Sequence, residues 1–294
     1  MDRRDFLKRG ALGIAGAIVG GSVIGSLAGL TTSCAPAAGK KRIGLQLYSL
    51  REAMGQDPKA TLTAIAEMGY TDLETANYAD GKVYGFTPAE FRTFVEGLGM
   101  KVESCHIGGG RVPAPEEVEE RMSWWRQAIA DHKAMGCKYI VVPSFRMGST
   151  IEDLAAVCAY FNQVAAMCKA EGIVFGYHNH SSEFRSIDGQ VIYDYMLANT
   201  SADVVYEMDV YWVQEGGQSP VAYLQKYAGR FPVLHIKDDD IIGASGKMDF
   251  EAIFNAAYAQ GTTDYYVEVE KYPLPAEVCV QNSFNFLDVA PFVK

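Results

Sequence analysis

Most histidines of this chain stand near acidic residues at the ends of short apolar runs. The sequence contains five histidines, and four of them occupy such ends. Imidazole and carboxylate groups gathered in one place bind cations or transfer protons. The polar residues at these ends are Gln46, Glu74, His106, His178, His180, Glu207, Asp209, His235, Lys237, Glu268 and Glu270.

Several of these ends carry two polar residues with one residue between them. Residues two apart on a strand point to the same side, so each pair would aim two polar groups at the same space. Burial of many unpaired charges is costly, and a bound cation resolves the conflict. The ligand types suit Mn²⁺, Co²⁺, Zn²⁺ or Mg²⁺. The pairs are His178 with His180, Glu207 with Asp209, His235 with Lys237, and Glu268 with Glu270.

Three runs agree on ligand chemistry, and we therefore predict Asp209, His235 and Glu268 as metal ligands. His178 is a fourth candidate ligand. The alternative for His178 is a structural hydrogen bond, which buried polar groups commonly form. Glu207 is expected either to face the outer helices or to form a salt bridge.

The polar ends belong to eight apolar, β-prone runs with amphipathic segments between them. The runs recur at intervals of roughly 30 residues, the length of a strand with its returning helix. Thr87 with Glu90 predicts a capping box, Asp57 and Asp249 are predicted helix caps, and residues 116–135 are predicted to form a long helix. The runs cover residues 43–48, 72–75, 102–106, 139–143, 174–178, 204–209, 233–237 and 265–270.

Eight strand–helix units predict an α/β fold, a (β/α)8 TIM barrel formed by a single domain over residues 42–294. A doubly wound open sheet is the alternative, but no GxGxxG turn follows the first run. Residues 108–110 are glycines without the Lys-Ser/Thr of a phosphate loop, and we expect a loop over the barrel mouth. Functional side chains of such barrels lie at the carboxyl ends of the strands, where the polar residues fall.

The first residues resemble an export signal. Arg3 and Arg4 precede a small-residue apolar stretch that ends shortly before Cys34. This pattern is similar to a twin-arginine signal followed by a bacterial lipoprotein cleavage site. We expect residues 1–33 to be the signal, residues 34–41 a linker, and Cys34 a lipidation site that anchors an exported, periplasmic protein to the membrane. A single N-terminal membrane helix is the alternative.

Composition narrows the class of protein. The chain has 294 residues, of which 49% are hydrophobic and 21% charged, which is typical of a globular protein. Its net charge of −10 disfavours nucleic acid as a partner. The cysteines after Cys34 form no CxxC pair, which argues against a disulfide framework and against a zinc finger.

Five segments resemble the xylose isomerase-like TIM-barrel family of sugar phosphate isomerases/epimerases. The resemblance implies a divalent-metal site at the barrel mouth with Asp209, His235 and Glu268 as ligands. It also implies substrate-side positions for Glu74 and His106. The segments are GYTDLE (69–74), GYHNHSSEF (176–184), EMDVYW (207–212), LHIKD (234–238) and VE (267–268).

One residue departs from the family pattern. The sugar epimerases of the family usually carry a glutamate on strand five that binds metal and moves a proton, whereas the matching residue here is His178. A neutral imidazole can still bind metal and can carry a proton near a pKa of roughly 6.5. The expected chemistry is removal of a proton beside a carbonyl group, which forms an enediolate. Glu268 is the expected base, with His178 or Glu183 as its partner on the opposite face.

Further residues are expected to contact a sugar. Lys237 would neutralise the developing oxyanion. Trp212 and Tyr48 would either present apolar walls to the sugar or pack at the barrel mouth. The predicted substrate-binding residues are Gln46, Tyr48, Glu74, His106, His180 and Trp212.

A metal-dependent sugar isomerase or epimerase is thus the expected function, and two alternatives remain. The same chemistry with expulsion of a leaving group would make a lyase or hydratase that acts on a 3-keto-glycoside. A non-catalytic exported sugar-binding protein is the other alternative. Export favours an unphosphorylated sugar, because sugar phosphates are largely cytoplasmic.

Overall fold

A computed structural model describes residues 41–294. The expected export signal, Cys34 and the linker up to residue 40 lie outside the described residues. Within residues 41–294 the main sheet has eight strands, and each is followed by at least one helix. These strands are β1 (Gly44–Gln46), β2 (Asp72–Thr75), β3 (Lys101–Cys105), β4 (Tyr139–Val142), β5 (Val174–His178), β6 (Val204–Asp209), β7 (Val233–Ile236) and β8 (Asp264–Val267).

The strands close into a ring, which confirms the predicted TIM barrel. Hydrogen-bonded neighbours follow the order β3-β2-β1-β8-β7-β6-β5-β4, and every pairing is parallel. The ring closes between β3 and β4, where His106 pairs with Val141 and the amide of Ile107 donates to the carbonyl of Val141 at 3.0 Å. An open doubly wound sheet would leave β3 and β4 at opposite edges, so this closure excludes the alternative fold.

Helices surround the barrel, and their predicted caps are confirmed. The side chains of Asp57 and Asp249 each accept a hydrogen bond from a first-turn amide, and Thr87 forms the expected capping box. The predicted helix over residues 116–135 begins two residues later, because Pro115–Glu117 form a 3₁₀ turn. The helices are α1 (Arg51–Gln56), α2 (Pro58–Met68), α3 (Pro88–Gly97), α4 (Val118–Met135), α5 (Ile151–Ala170), α6 (Ile192–Asn199), α7 (Val210–Glu215), α8 (Pro220–Lys226), α9 (Phe250–Gln260) and α10 (Ala276–Val289).

The inside of the barrel is layered along its axis. His235 follows Val233 by two residues and Glu268 follows Tyr266 by two, so in each case an apolar and a polar side chain share the inward face. The polar layer at the carboxyl ends of the strands therefore lies on an apolar floor. The buried residues of this floor are Tyr139, Val141, Val233 and Tyr266.

Strand β1 is shorter than the predicted run of residues 43–48. The side chain of Gln46 accepts a hydrogen bond from the amide of Tyr48 at 3.0 Å, and Leu47–Leu50 turn into a 3₁₀ helix. Tyr48 therefore stands in a turn at the barrel mouth. In the same way β8 ends at Val267, so Glu268 directly follows the strand.

Two further features concern the described part of the chain as a whole. No helix within residues 41–294 is both long enough and apolar enough to span a bilayer. The cysteines of this region are all free and buried, as the prediction of no disulfide framework requires. They are Cys105, Cys137, Cys158, Cys168 and Cys279.

Candidate metal and active site

Four buried side chains converge at the carboxyl end of the barrel. His178 ends β5, Asp209 ends β6, His235 lies in β7 and Glu268 directly follows β8. One nitrogen or oxygen atom from each residue lies within 4.8 Å of the corresponding atoms of the other three. These four residues are the ones predicted from the sequence as metal ligands. They are called the mouth cluster below.

The spacing within the mouth cluster leaves room for a cation. Nε2 of His178 lies 3.9 Å from Oδ2 of Asp209, and Nδ1 of His235 lies 3.4 Å from Oε2 of Glu268. Ligand atoms around an ion with bonds of about 2.0–2.2 Å stand about 3.0–3.5 Å apart. Oδ2 of Asp209 is buried and accepts no hydrogen bond from any described residue. A buried oxygen without a partner is costly, so these residues fit a divalent cation.

The two carboxylates of the mouth cluster differ in their electrostatic surroundings. Burial raises the pKa of Asp209 to about 7, although Lys237 opposes this shift. Burial alone would also raise the pKa of Glu268, but Lys237 and His235 outweigh it and hold that pKa well below its usual range. Glu268 is therefore ionised at neutral pH, whereas Asp209 titrates close to neutrality in the absence of a cation.

The two imidazoles of the mouth cluster differ as well. Burial lowers the pKa of His178 well below its usual value, and the rings of His235 and His106 lower it further. Neutral imidazole is the form that binds metal. Burial also lowers the pKa of His235, but the carboxylates of Glu207 and Glu74 outweigh burial and raise it well above its usual value. Binding of a cation to His235 would therefore release a proton.

A second buried group contacts the opposite sides of the two imidazoles. Oε2 of Glu74 lies 2.6 Å from Nε2 of His235. Oε2 of Glu207 lies 2.6 Å from Nε2 of His106 and 3.2 Å from Nδ1 of His178. Each imidazole of the mouth cluster thus has one nitrogen toward the cluster and the other toward this second group. Glu74, His106 and Glu207 are called the inner layer below.

The structure corrects the expected orientation of Glu207. Its side chain is fully buried inside the barrel and does not face the outer helices. The other expected outcome, an ion pair, is found with His106. The sequence contained a signal for the inward orientation, because Glu207 precedes Asp209 by two residues on one strand and must share its face. Burial, together with the neighbouring Glu74, raises the pKa of Glu207 to about 7.

Lys237 places a positive charge beside the mouth cluster. Its Nζ donates to Oε2 of Glu268 at 3.0 Å and also contacts the carboxylate of Glu270. The ammonium group lies 5.4 Å from the centre of a Trp212 ring. The indole N–H of Trp212 is buried and has no hydrogen-bond partner among the described residues, and the ring of His180 lies 5.7 Å from that of Trp212. Three predicted substrate contacts therefore border the site.

Glu183 occupies a different position from the one that a catalytic base requires. Oε1 of Glu183 accepts a hydrogen bond from the hydroxyl of Tyr177 at 2.6 Å, and Oε2 accepts one from the amide of His180 at 2.9 Å. Both oxygens are thus occupied, Oε2 in capping the turn Ser181–Phe184 and Oε1 in the hydrogen bond from β5. This geometry favours a structural role for Glu183 and leaves His178 as the candidate partner of Glu268.

Of the remaining predicted substrate residues, Tyr48 lies at the rim, whereas Gln46, Glu74 and His106 are buried. Gln46 is fully buried, and its Nε2 donates to Oε2 of Glu74 at 2.7 Å. Tyr48 is 42% exposed at the rim, with the guanidinium of Arg51 lying 4.7 Å from its ring centre. Tyr48 is therefore accessible to a ligand, whereas Gln46 is part of the buried network around Glu74.

Comparisons with known proteins support the fold and indicate a chemical context. A family model described as xylose isomerase-like TIM barrel matches residues 62–288. Among curated proteins, the inosose dehydratase of Geobacillus kaustophilus (strain HTA426) is 26% identical over 199 residues. That similarity covers 60% of this chain and 60% of the relative, so the chain spans somewhat less than two thirds of the length of that relative.

Two solved structures from Parabacteroides distasonis ATCC 8503 are similar over most of the chain. Both are described as sugar phosphate isomerase/epimerase. One is 38% identical with a TM-score of 0.82, and the similarity covers 86% of this chain and 100% of the other. The second is 35% identical with a TM-score of 0.83, covering 90% of this chain and 99% of the other.

Proposed function

Because the chain belongs to the xylose isomerase-like TIM barrel family, we propose that it is a metal-dependent isomerase or epimerase of an unphosphorylated sugar. The reaction would remove a proton from the carbon beside a carbonyl group and return it to a different carbon or to the opposite face. The observation that carries this proposal is the mouth cluster, in which four buried ligand side chains leave Oδ2 of Asp209 without a partner.

The mouth cluster would hold one divalent cation through His178, Asp209, His235 and Glu268. A cation bound there supplies Lewis-acid polarisation of a carbonyl oxygen, which makes the neighbouring C–H more acidic and stabilises the enediolate. Mn²⁺, Co²⁺ and Zn²⁺ are candidates because two imidazoles and two carboxylates suit divalent transition metals, and Mg²⁺ is a candidate because it binds carboxylate oxygens.

Glu268 is the proposed base, and Lys237 controls its strength. The ion pair between them at 3.0 Å keeps Glu268 ionised but makes it a weak proton acceptor. When negative charge develops on a substrate oxygen, Nζ of Lys237 can turn toward that oxygen. Glu268 then loses part of its cationic stabilisation, and its affinity for a proton rises at the step that needs it.

His178 is the proposed partner of Glu268 on the other face of the sugar. It stands where the family's sugar epimerases carry a glutamate, and its ring is neutral because burial lowers its pKa. A neutral imidazole can accept a proton from carbon or deliver one after protonation, and His178 would do so through Nε2 when that nitrogen does not hold the cation, because Nδ1 contacts Glu207. Isomerisation can proceed with a single base, whereas epimerisation needs a group on each face, so the role of His178 decides between the two outcomes.

The charge balance at the mouth supports a substrate without phosphate. The ammonium group of Lys237 is already matched by the carboxylates of Glu268 and Glu270. Trp212 and Tyr48 offer aromatic surface to the C–H face of a sugar. A phosphate dianion at the mouth would be repelled by the carboxylates of the mouth cluster, and Lys237 would not be free to neutralise it.

Proton exchange with solvent tests the proposal directly. The metal-loaded full chain is incubated in D₂O with unphosphorylated aldoses, ketoses and inososes, and the products are followed by ¹H NMR. We expect one substrate class to lose the signal of the C–H beside the carbonyl while an isomer or epimer appears. Exchange of phosphorylated sugars alone would contradict the proposed substrate class, and tight binding without any exchange would indicate a sugar-binding protein.

Dehydration or another elimination is the second candidate function. The similarity to an inosose dehydratase favours it, and so does the histidine at the strand-five position, because elimination does not need a symmetric pair of glutamates. The first step would be the same proton removal, after which the carbon next to the enediolate expels hydroxide or a glycoside oxygen. The same NMR experiment would then detect a dehydrated product, or an alcohol released from a 3-keto-glycoside, in place of an epimer.

Export and lipidation form a separate proposal. We propose that residues 1–33 direct export and that Cys34 is lipidated, on the basis of Arg3, Arg4 and the apolar stretch that follows them. Replacement of both arginines by lysine should retain the protein in the cytoplasm. Cys34→Ser should release it from the membrane fraction, and unchanged fractionation of both variants would contradict the proposal.

A further inference from the structure

We propose that Glu74 and Glu207 are positioning residues, which orient the two imidazoles of the mouth cluster and determine which nitrogen of each faces the cation. This inference rests on the proposed function, since it assumes that the mouth cluster binds a metal. It concerns Glu74 and Glu207, which contact the imidazoles of the candidate ligands but would not contact the cation itself.

The contact between Glu74 and His235 determines the orientation of that ring. The distance of 2.6 Å from Oε2 to Nε2 is that of a strong hydrogen bond. An ionised carboxylate only accepts hydrogen bonds, so Nε2 carries the proton. Nδ1 of His235, 3.4 Å from Oε2 of Glu268, is then the nitrogen that would release its proton and offer a lone pair to a cation. Carboxylates that hold a metal-binding imidazole in this way also raise its basicity.

Glu74 is itself fixed by further donors. Nε2 of Gln46 donates to Oε2 of Glu74 at 2.7 Å, and the hydroxyl of Ser104 donates to Oε1 at 2.6 Å. All three side chains are fully buried. The carboxylate therefore cannot turn away from His235 without leaving buried donors unsatisfied, which would cost free energy at each of them.

Glu207 acts in the same way on the other imidazole. Its Oε2 lies 3.2 Å from Nδ1 of His178, and Nε2 of that ring points toward Oδ2 of Asp209 at 3.9 Å. His106 braces the carboxylate through a contact of 2.6 Å. Two carboxylates, one from β2 and one from β6, thus contact the two rings on the side opposite the mouth cluster.

A second cation in the inner layer is the competing interpretation. His106, His178, Glu207 and His235 also lie close enough together to be considered as ligands. However, the 2.6 Å contact between His106 and Glu207 is a hydrogen-bond length, shorter than the spacing of about 3.0–3.5 Å between atoms that share one ion. Glu207 lies farther from His178 and His235, at 3.2 and 3.1 Å, so hydrogen bonding in the inner layer rests on the two contacts of 2.6 Å, from Glu207 to His106 and from Glu74 to His235.

Metal titration of the full chain tests this inference. Zn²⁺ and Co²⁺ are titrated into metal-stripped wild type, Glu74→Gln and Asp72→Asn. Asp72 is the matched control, because it is a buried carboxylate on the same strand that pairs with Arg42 at 2.7 Å at the other end of β2. We expect Glu74→Gln to weaken metal binding by about 10- to 100-fold and to change the Co²⁺ absorption spectrum. Asp72→Asn should leave both unchanged.

The outcomes separate this inference from the proposed function. Wild-type affinity together with a wild-type Co²⁺ spectrum in folded Glu74→Gln would overturn the positioning role. A wild-type chain that binds neither ion, and neither Mn²⁺ nor Mg²⁺ in the same titration, would refute the proposed function. If Glu74→Gln does not fold, Glu207→Gln is measured in the same way, and an unchanged affinity there would overturn the inference.

Discussion

Asp209 and Glu268 are both buried carboxylates of the mouth cluster, yet their surroundings move their pKa values in opposite directions. Burial dominates at Asp209 and raises its pKa to about 7, whereas the cations beside Glu268 overcome burial. Pairs of titratable groups with divergent pKa values are typical of catalytic sites. A bound cation would act most strongly on Asp209, which has an oxygen without a partner, and would leave the ion pair of Glu268 with Lys237 to govern proton transfer.

Replacement of Glu268 by glutamine tests the proposed base. Glutamine keeps the shape of the side chain but cannot accept a proton, so turnover should fall by about 10²- to 10⁴-fold at saturating metal. The exposed Glu251→Gln on α9 serves as the control and should keep wild-type turnover. Circular dichroism and metal content show whether the variant is folded and loaded. A folded, loaded Glu268→Gln with wild-type activity would assign the base to another residue.

The sequence predicts the mouth cluster better than the inner layer, for a physical reason. Asp209, His235 and Glu268 stand at strand ends, where the barrel fold leaves little choice of direction. Glu207 lies two residues before Asp209 on the same strand and therefore deeper in the barrel. A polar side chain is tolerated at that depth only if other strands supply partners for it. His106, just after β3, supplies that partner, and no local pattern connects two residues so far apart in the chain. The sequence also left the role of Glu183 undecided, because its oxygens are occupied by the amide of His180 and by the hydroxyl of Tyr177 only in the folded chain.

Helix α4 carries a histidine that links its stability to pH. His132 is fully buried, Nδ1 donates to the carbonyl of Ala128 at 2.7 Å, and the ring lies 4.7 Å from that of Tyr78. Burial lowers its pKa, although the carbonyl of Ala128 opposes the shift. The folded state therefore binds fewer protons at this residue than the unfolded state, and stability declines as the pH falls below the unfolded pKa of roughly 6.5.

His132→Leu should remove this pH dependence. Between pH 7.5 and pH 5.5 the wild type should lose about 1 kcal/mol of unfolding free energy relative to the variant, because protonation of the unfolded state favours unfolding only in the wild type. Urea denaturation of both proteins at the two pH values provides the measurement. Parallel pH dependences in the two proteins would mean that His132 titrates equally in both states.

The capping box of α3 allows a test of local stability. Thr87 accepts from the amide of Glu90, and the carboxylate of Glu90 accepts from the amide of Thr87 at 2.9 Å. Thr87→Ala should lower the free energy of unfolding by about 1 kcal/mol. Thr93→Ala in the interior of the same helix should cause no such loss, since alanine is the better helix former. Equal stability of the two variants in urea denaturation would contradict the capping role.

Element positions were predicted more accurately than element ends. Strands β2, β5 and β6 begin and end at the predicted residues, because their apolar runs are bounded by polar or turn residues. β1 ended early, since the side chain of Gln46 competes for the amide of Tyr48. Such a bond between a side chain and the backbone depends on a rotamer, which hydrophobic alternation does not reveal.

The whole molecule couples ring closure to the formation of the site. The mouth cluster draws one residue from each of β5 to β7 and one from the segment after β8, and the inner layer adds residues from β2 and β6 and one just after β3. The mouth cluster comes from the neighbouring strands β5 to β8, whereas the contact between His106 and Glu207 joins β3 to β6 across the ring, so the inner layer is complete only when the ring closes. The apolar floor below it separates these charges from the amino end of the barrel. The TIM barrel was predictable because eight strand–helix units of regular length have few other arrangements.

The central claim is that the mouth cluster binds one divalent cation. Elemental analysis of the full chain, purified without added metal and again after loading with Mn²⁺, Co²⁺, Zn²⁺ or Mg²⁺ and dialysis, measures this directly. We expect close to one equivalent per chain in the wild type and in Asp72→Asn, and a much lower content in His235→Ala and Asp209→Asn. A wild type that retains no cation, or variants that retain as much as the wild type while folded, would contradict the account.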